Sequence, residues 1–167
     1  MKKLCLMLAV CLCVAALAGC SGKQETVTAA KLEESADMAK TIVSKIEEVN
    51  PVANARAIDD FSVENEMGLS MDDLAAYAGD VTNNQADCSL VFVALCKEGK
   101  AASVSQALES YRKTMTSSLY IEFAAKVEQA KNARIVTQGN YVVMVIAGVD
   151  GPSYDSVDQA ISNALKA

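Results

Sequence analysis

The chain has 167 residues, of which 51% are apolar and 22% are charged, a balance typical of one globular domain. It contains no histidine, which excludes Ser-His-Asp and Cys-His catalysis as usually built, and histidine-ligated zinc. Its formal net charge of −6 repels phosphate backbones, so we expect no nucleic-acid partner. No motif points to a catalytic residue, a metal or a cofactor, and we predict none of these.

The first 19 residues predict a signal peptide. Lys2 and Lys3 precede an uninterrupted apolar run of 15 residues, Leu4 to Ala18. A membrane-spanning helix needs about 20 apolar residues, whereas a run of this length suits the apolar core of a secretory signal. A retained signal anchor is the alternative.

The end of that run carries a motif. Leu17-Ala18-Gly19-Cys20 resembles the lipobox of bacterial lipoproteins, which implies cleavage between Gly19 and Cys20 and a diacylglyceryl group (palmitate or a similar acyl chain) on the Cys20 thiol. Two acyl chains hold a protein stably on a membrane, whereas one holds it only marginally. We therefore expect a protein on the outer face of the cell membrane, anchored by lipid on Cys20. Plain secretion, with Cys20 as an ordinary cysteine, is the alternative.

Cleavage would leave a lipidated tether, residues 20–28, and a single α+β domain, residues 29–167. The mature chain loses two of the 15 basic residues, Lys2 and Lys3, and keeps 13 against 21 acidic residues, a net charge of −8. Ser21 to Thr28 is polar and aperiodic, and its eight residues span at most about 29 Å when extended. The domain should therefore lie close to the bilayer.

The first half of the domain predicts helical segments. An apolar stripe at helical spacing predicts a helix over residues 29–49, and Asn50-Pro51 ends it. Paired aspartates predict a short helical turn over 59–66. Ser70 precedes Met-Asp-Asp, the pattern of a helix N-cap with acids in the first turn, and predicts a helix that ends at Gly79.

A strand and a long helix are predicted next. Residues 88–96 form a short run rich in Val and Phe, apolar at successive positions, which predicts a central strand buried on both faces. After a turn at 97–100, Ser103 and Gln106 have the spacing of a capping box and predict the start of a long helix. Ser117-Ser118 would interrupt it.

The C-terminal part predicts a hairpin and a last helix. Strands over 133–138 and 141–147 flank Gly139-Asn140, a two-residue hairpin signal, and Ser153 begins the helix. The expected fold is α+β: an N-terminal helix, then β-α-β-β-α. We expect a two-layer sandwich with a small three-stranded sheet and helices on one face.

Three stretches of the domain are distinctive: Ala86-Asp87, Lys97-Glu-Gly-Lys100, and Asn132 to Tyr141 running into residues 142–146. They resemble a family of lipoproteins, mostly from clostridial Firmicutes, catalogued as domain of unknown function 4358. The resemblance covers roughly residues 30–166 and implies a lipoprotein context and this fold. It brings no activity and no site residues. Met67-Gly68 stands where the family tends to have an aromatic-Gly pair.

Two cysteines remain once the signal is removed, Cys88 and Cys96. An oxidising compartment would permit a disulfide. If both lie on one strand, however, eight steps of about 3.3 Å separate them by roughly 26 Å, and a disulfide needs Cα atoms within about 7 Å. We therefore predict two buried, reduced cysteines.

Acidic residues concentrate between Ala57 and Cys96, where eight occur without any lysine or arginine. Clustered carboxylates can bind Ca²⁺, and the five residues from Asp80 resemble the start of a calcium loop. Gln85 and Val91 stand where such a loop needs Gly and Glu. We interpret these acids as helix-start residues and a solvated face, with a cation site as the alternative.

The anchor, the short tether and the lack of catalytic constellations favour a non-enzymatic domain that binds an envelope protein, an envelope polymer or a small ligand. The alternative is a carboxylate- or metal-dependent hydrolase at the cell surface, built in the acidic segment. A structural partner in a membrane complex is the third hypothesis, which an exposed apolar patch would support. Acids that converge in one concave pocket would favour the hydrolase, and acids spread over a convex face would favour the binding domain.

Overall fold

The structure is a computed structural model that describes residues 32–117 and 123–166. The predicted signal peptide, Cys20, the tether and the first residues of the predicted N-terminal helix, 29–31, lie outside the described residues, as does Ser118. Within the described ranges, no helix is long and apolar enough to cross a membrane.

Five antiparallel strands form one sheet in the order β1-β2-β3-β5-β4. The strands are β1 (Ala55–Ala57), β2 (Leu74–Thr82), β3 (Leu90–Cys96), β4 (Arg134–Gln138) and β5 (Tyr141–Ile146). Every residue of β3 and of β5 is buried. The predicted three-stranded sheet is therefore too small, because β1 and β2 were not expected; β3, β4 and β5 correspond to the three predicted strands.

Helices cover both faces of this sheet. They are α1 (Ala36–Glu47), α2 (Ala101–Met115), α3 (Ala124–Lys131) and α4 (Tyr154–Ala164). One core lies between α1, α4 and the strand face that carries Val91 and Val143, and the other lies between α2, α3 and the face that carries Phe92 and Met144. The predicted two-layer sandwich with helices on one face is wrong, because strands that are apolar at every position must be covered on both sides.

Strand β2 replaces the helix predicted from Ser70 to Gly79. The start signal is real, since the Ser70 hydroxyl accepts a hydrogen bond from the Asp72 N–H at 3.3 Å, but it opens only a 3-10 turn, Met71–Asp73. The chain then pairs with β1 on one side and β3 on the other. Hydrogen bonding along both edges overrides the helix preference of its alanines.

Several predicted element ends are shifted. The first helix begins at Ala36, because the Ser35 side chain caps it by accepting from the Met38 N–H at 3.1 Å. The capping box at Ser103 is wrong: α2 begins at Ala101, and the Ser103 hydroxyl donates to the Lys100 carbonyl at 2.8 Å. Strand β3 begins two residues later than predicted, and α2 ends at Met115, before the predicted interruption.

Three local predictions are confirmed. The paired aspartates begin a helical turn that includes a π-helical segment, Ser62–Glu66. Gln138 pairs with Tyr141 across the hairpin, and Gly139 has a φ of 59°, as a tight two-residue turn requires. Ser153 caps α4, since its hydroxyl accepts from the Ser156 N–H at 3.3 Å.

Candidate functional site

The chain enters the domain at the hairpin end of the sheet. The Tyr141 hydroxyl donates to the Glu33 carbonyl at 2.6 Å and accepts from the Ser35 N–H at 3.2 Å. Asn140 beside it donates to the Glu34 carboxylate at 3.2 Å. These contacts place the start of the described chain next to the β4–β5 turn.

Three loops meet at the opposite end of the sheet, which we call the loop end: residues 48–54 after α1, 83–89 between β2 and β3, and 147–153 after β5. Strand β5 runs between the two ends, and its five steps of about 3.4 Å put them roughly 17 Å apart. A cleft of about 690 Å³, the loop cleft, lies between these loops. Val49 lines it with 40% of its surface exposed, so an apolar contact is available there.

Asp87 fixes the shape of the loop cleft. Its Oδ1 accepts from the backbone N–H groups of Cys88 at 2.7 Å and Val149 at 3.2 Å, and its Oδ2 accepts from the Ser89 hydroxyl at 3.0 Å. A Cβ on Gly148 would lie 3.2 Å from Oδ2, so the glycine lets the β5–α4 loop come this close. The carboxylate joins the β2–β3 loop to the β5–α4 loop, and both of its oxygens accept hydrogen bonds.

A second concavity, the side groove, lies on the other side of residues 83–89 and has a volume of about 640 Å³. Two basic side chains line it in an otherwise acidic domain. The Arg56 guanidinium contacts both Glu66 oxygens, at 2.8 and 2.6 Å, and donates to the Ser62 hydroxyl at 2.7 Å. The Lys126 ammonium donates to the Gln85 carbonyl at 3.0 Å.

The acids of the segment 57–96 do not converge. Asp59 caps the π-helical turn by accepting from the Ser62 N–H and hydroxyl, and these bonds hold the pKa of Asp59 below its usual range. Asp60 accepts from the Tyr77 hydroxyl; burial, reinforced by Asp60, raises the pKa of Tyr77 to about 12. Glu66 holds Arg56.

Two further acids of this segment lie in other parts of the fold. Asp73 binds Lys100 at 2.9 Å, and that hydrogen bond lowers the pKa of Asp73. Asp80 lies in β2, so the chain resembling a calcium loop starts as a strand. Among residues 32–117 and 123–166, no group of three or more Cys, Asp or Glu side chains is arranged to hold a metal ion.

Cys88 and Cys96 are both free and buried. They lie at the two ends of the β3 region, and the prediction that they do not bond is confirmed. Burial raises the pKa of each thiol to about 11, with Asp87 reinforcing the shift at Cys88 and Asp73 at Cys96. Neither thiol is therefore a nucleophile near neutral pH.

The stretches that resemble the lipoprotein family have structural roles. Asp87 joins the loops as described. The Lys97 ammonium donates to the Asp72 carbonyl at 2.7 Å, and Gly99 in the same turn has a φ of 76°. In the third stretch, the Arg134 guanidinium binds Asp158 through two hydrogen bonds of 2.7 and 3.1 Å. Each of these residues stabilises local structure.

The structure brings together residues that the sequence did not single out. Arg56 and Lys126 both line the side groove although 70 positions separate them in the chain, and Val49 lines the loop cleft. No local pattern marks them, because their proximity depends on the order of the strands. Gly19 and Cys20, the only predicted site residues, lie outside the described residues.

Comparison with known protein families gives a match. The family model described as Domain of unknown function (DUF4358) matches residues 47–147. The matched range spans the sheet and helices α2 and α3 and includes all three family-like stretches. Helix α4 and all of α1 except Glu47 lie outside it. No curated protein and no solved structure matches the chain significantly. The chain belongs to the family of domain of unknown function 4358.

Proposed function

We propose that this protein is a lipoprotein anchored through Cys20 on the outer face of the cell membrane, and that its domain binds an envelope protein or polymer without catalysing a reaction. One observation carries the second part: the acids of the segment 57–96 are dispersed, with Asp59, Asp73 and Asp87 each engaged by separate partners. A carboxylate-based hydrolase would need two or more of them facing one substrate position.

The loop end is the proposed binding surface. The chain enters at the hairpin end through the contacts of Tyr141. A lipid attached N-terminal to that point would draw the hairpin end toward the bilayer and leave the loop end, roughly 17 Å further along β5, facing away from it. The loop cleft and the side groove both open there, which suits contact with a partner in the envelope.

Replacing Cys20 tests the anchor. In Cys20→Ala the acceptor thiol is missing, so we expect no incorporation of labelled palmitate and a protein that keeps the mass of the uncleaved precursor. Cys11→Ala, which changes a cysteine of the same apolar leader outside the lipobox, should be labelled and processed like the natural chain. Recovery of Cys20→Ala in the membrane fraction at mature mass would contradict the proposal.

Site-specific photo-crosslinking in intact cells tests the binding surface. A photoreactive residue at Val49 or Gln85, both exposed at the loop end, should give a discrete crosslinked product identifiable by mass spectrometry. The same residue at Glu98, exposed at the hairpin end, should not give that product. Equal yields from the two ends, or none from the loop end, would argue against a loop-end binding surface.

A further inference from the structure

The last residue of α1 carries an enclosed oxygen with no donor. Glu47 Oε1 has essentially no solvent exposure and no hydrogen-bond partner. A buried acceptor without a donor is costly, so this oxygen calls for an explanation. Helix α1 packs on β2 and β3, and the residue that explains this oxygen, Asp80, belongs to β2.

Asp80 lies opposite Glu47 on the sheet. It pairs directly with Val91 across β2 and β3, and directly paired residues point to the same face. Val91 belongs to the core under α1, so the Asp80 carboxylate faces α1 and meets the Glu47 side chain. Two neighbouring ionised carboxylates repel each other, whereas a single proton shared between them forms a hydrogen bond. The proton would supply the missing donor.

Within residues 32–117 and 123–166, no lysine or arginine neutralises the pair. Neither acid forms an ion pair in the described part of the chain, and their neighbour on β1 is Ala57. Most charged groups of the surrounding elements bind other residues: Lys40 of α1 binds Asp37, Arg56 of β1 binds Glu66, and Asp158 of α4 binds Arg134. In the described part of the chain, Lys45 of α1, Glu48 just after it and Asp155 of α4 make no ion pair with Glu47 or Asp80. Strand β3 has no charged residue.

We propose that Glu47 and Asp80 form a proton-operated latch between α1 and β2, closed while the pair shares a proton and weakened when both carboxyls are ionised. Burial, reinforced by Asp80, raises the pKa of Glu47 to about 7. The folded protein thus keeps a proton that the unfolded chain releases at lower pH. The latch is fully stabilising below the ordinary glutamate range and is lost as the pH rises to about 7.

The latch controls the helix closest to the entry of the chain. The turn after Glu47 is held by three backbone bonds: Glu48 N–H to the Ser44 carbonyl at 3.1 Å, and the Val49 and Asn50 N–H groups to Ile46 at 3.1 and 2.8 Å. Loss of the shared proton should loosen this turn and the start of the loop cleft with it. The loop end would then be more rigid at acidic pH than at neutral pH.

Carboxyl NMR and amide exchange test the latch on the full chain in detergent micelles. The Glu47 carboxyl carbon should titrate near pH 7. After correction for intrinsic exchange, protection of the Glu48, Val49 and Asn50 amides should fall from pH 5 to 7, by at most about tenfold per unit, and then level off. Glu47→Gln can donate to Asp80 at every pH, so its protection should be flat across this range.

Two further variants keep the test decisive. Glu48→Gln removes an exposed acid one position away and should retain the natural pH dependence. Asp80→Asn, which also places a donor opposite a carboxylate, should abolish it, and it serves if Glu47→Gln does not fold. A Glu47 titration below pH 5, or the same pH dependence in Glu47→Gln or Asp80→Asn as in the natural chain, would overturn the proposal.

Discussion

Gly79 leaves no room for a side chain in the middle of β2. A Cβ at this position would lie 2.3 Å from the Val91 carbonyl oxygen and 2.9 Å from the Phe92 Cα. Both atoms belong to the backbone of β3, so relief would require the two strands to separate. The Gly79 carbonyl also accepts from the Ile58 N–H at 2.9 Å, which holds β2 on its other edge. The absence of a Cβ at Gly79 thus allows β2 and β3 to pair in the sheet.

Gly79→Ala should therefore destabilise the fold by about 3 kcal/mol, the upper range for forced overpacking. The matched control is Gly68→Ala: Gly68 has a φ of 68° but no neighbour within 4 Å of a Cβ, so it should lose only about 1 kcal/mol through backbone strain. Urea unfolding followed by circular dichroism measures both. Equal losses would mean that β2 and β3 can move apart at no great cost.

At the scale of elements, single polar side chains add directional contacts between elements that lie far apart in the chain. Asp87 connects the entry of β3 with the loop after β5. Arg134 of β4 binds Asp158 of α4 and lies 4.6 Å from the centre of the Tyr154 ring. Each such contact contributes modestly to the free energy of unfolding when it is exposed.

Asp87→Ala should lower the free energy of unfolding by about 1–3 kcal/mol, because the partly buried N–H groups of Cys88 and Val149 lose their acceptor. It should also loosen the loop cleft before the rest of the fold. Asp150→Ala, in the same cleft but exposed, should change stability by less than about 0.5 kcal/mol. Urea midpoints and amide exchange of the loop 147–153 check this; a normal exchange pattern in Asp87→Ala would contradict the role of the carboxylate.

Local sequence signals predicted an element correctly where the element depends only on residues a few positions apart. Gly139-Asn140 predicts the hairpin, and Ser153 predicts the start of α4, because turn geometry and capping involve only adjacent backbone. Ser70 shows where local signals fail: it does cap a turn, but no neighbouring residue indicates that a strand begins at Leu74. That choice depends on pairing with β3, which begins 16 residues later.

For the molecule as a whole, two tyrosine hydroxyls bridge distant parts of the chain in the same manner. Tyr141 donates to the Glu33 carbonyl and accepts from the Ser35 N–H, which fixes the point of chain entry. Tyr154 donates to the Gln129 carbonyl at 2.7 Å and accepts from a backbone N–H at 3.3 Å, which joins α4 to α3. Only the first bears on the orientation of the domain relative to its proposed anchor.

Tyr141→Phe should lose about 1–2 kcal/mol, as should Tyr154→Phe, because each removes one donor and one acceptor. Only Tyr141→Phe should free the entry segment, so a glutamate-specific protease should cleave it after Glu33 and Glu34 several-fold faster than the natural chain. Cleavage sites are identified by mass spectrometry. Faster cleavage there in Tyr154→Phe as well would indicate a general loss of stability instead of a specific release.

The sequence by itself determined the absence of histidine chemistry, the central strand β3, the hairpin and the last helix, since each depends on composition or on neighbours in the chain. Only the tertiary structure decided that β2 is a strand, that helices cover both faces, and that Glu47 meets Asp80. These features arise from contacts between residues tens of positions apart, and such contacts leave no local pattern. The same holds for Glu66, Asp73 and Asp80 of segment 57–96, because their partners Arg56, Lys100 and Glu47 lie outside the segment.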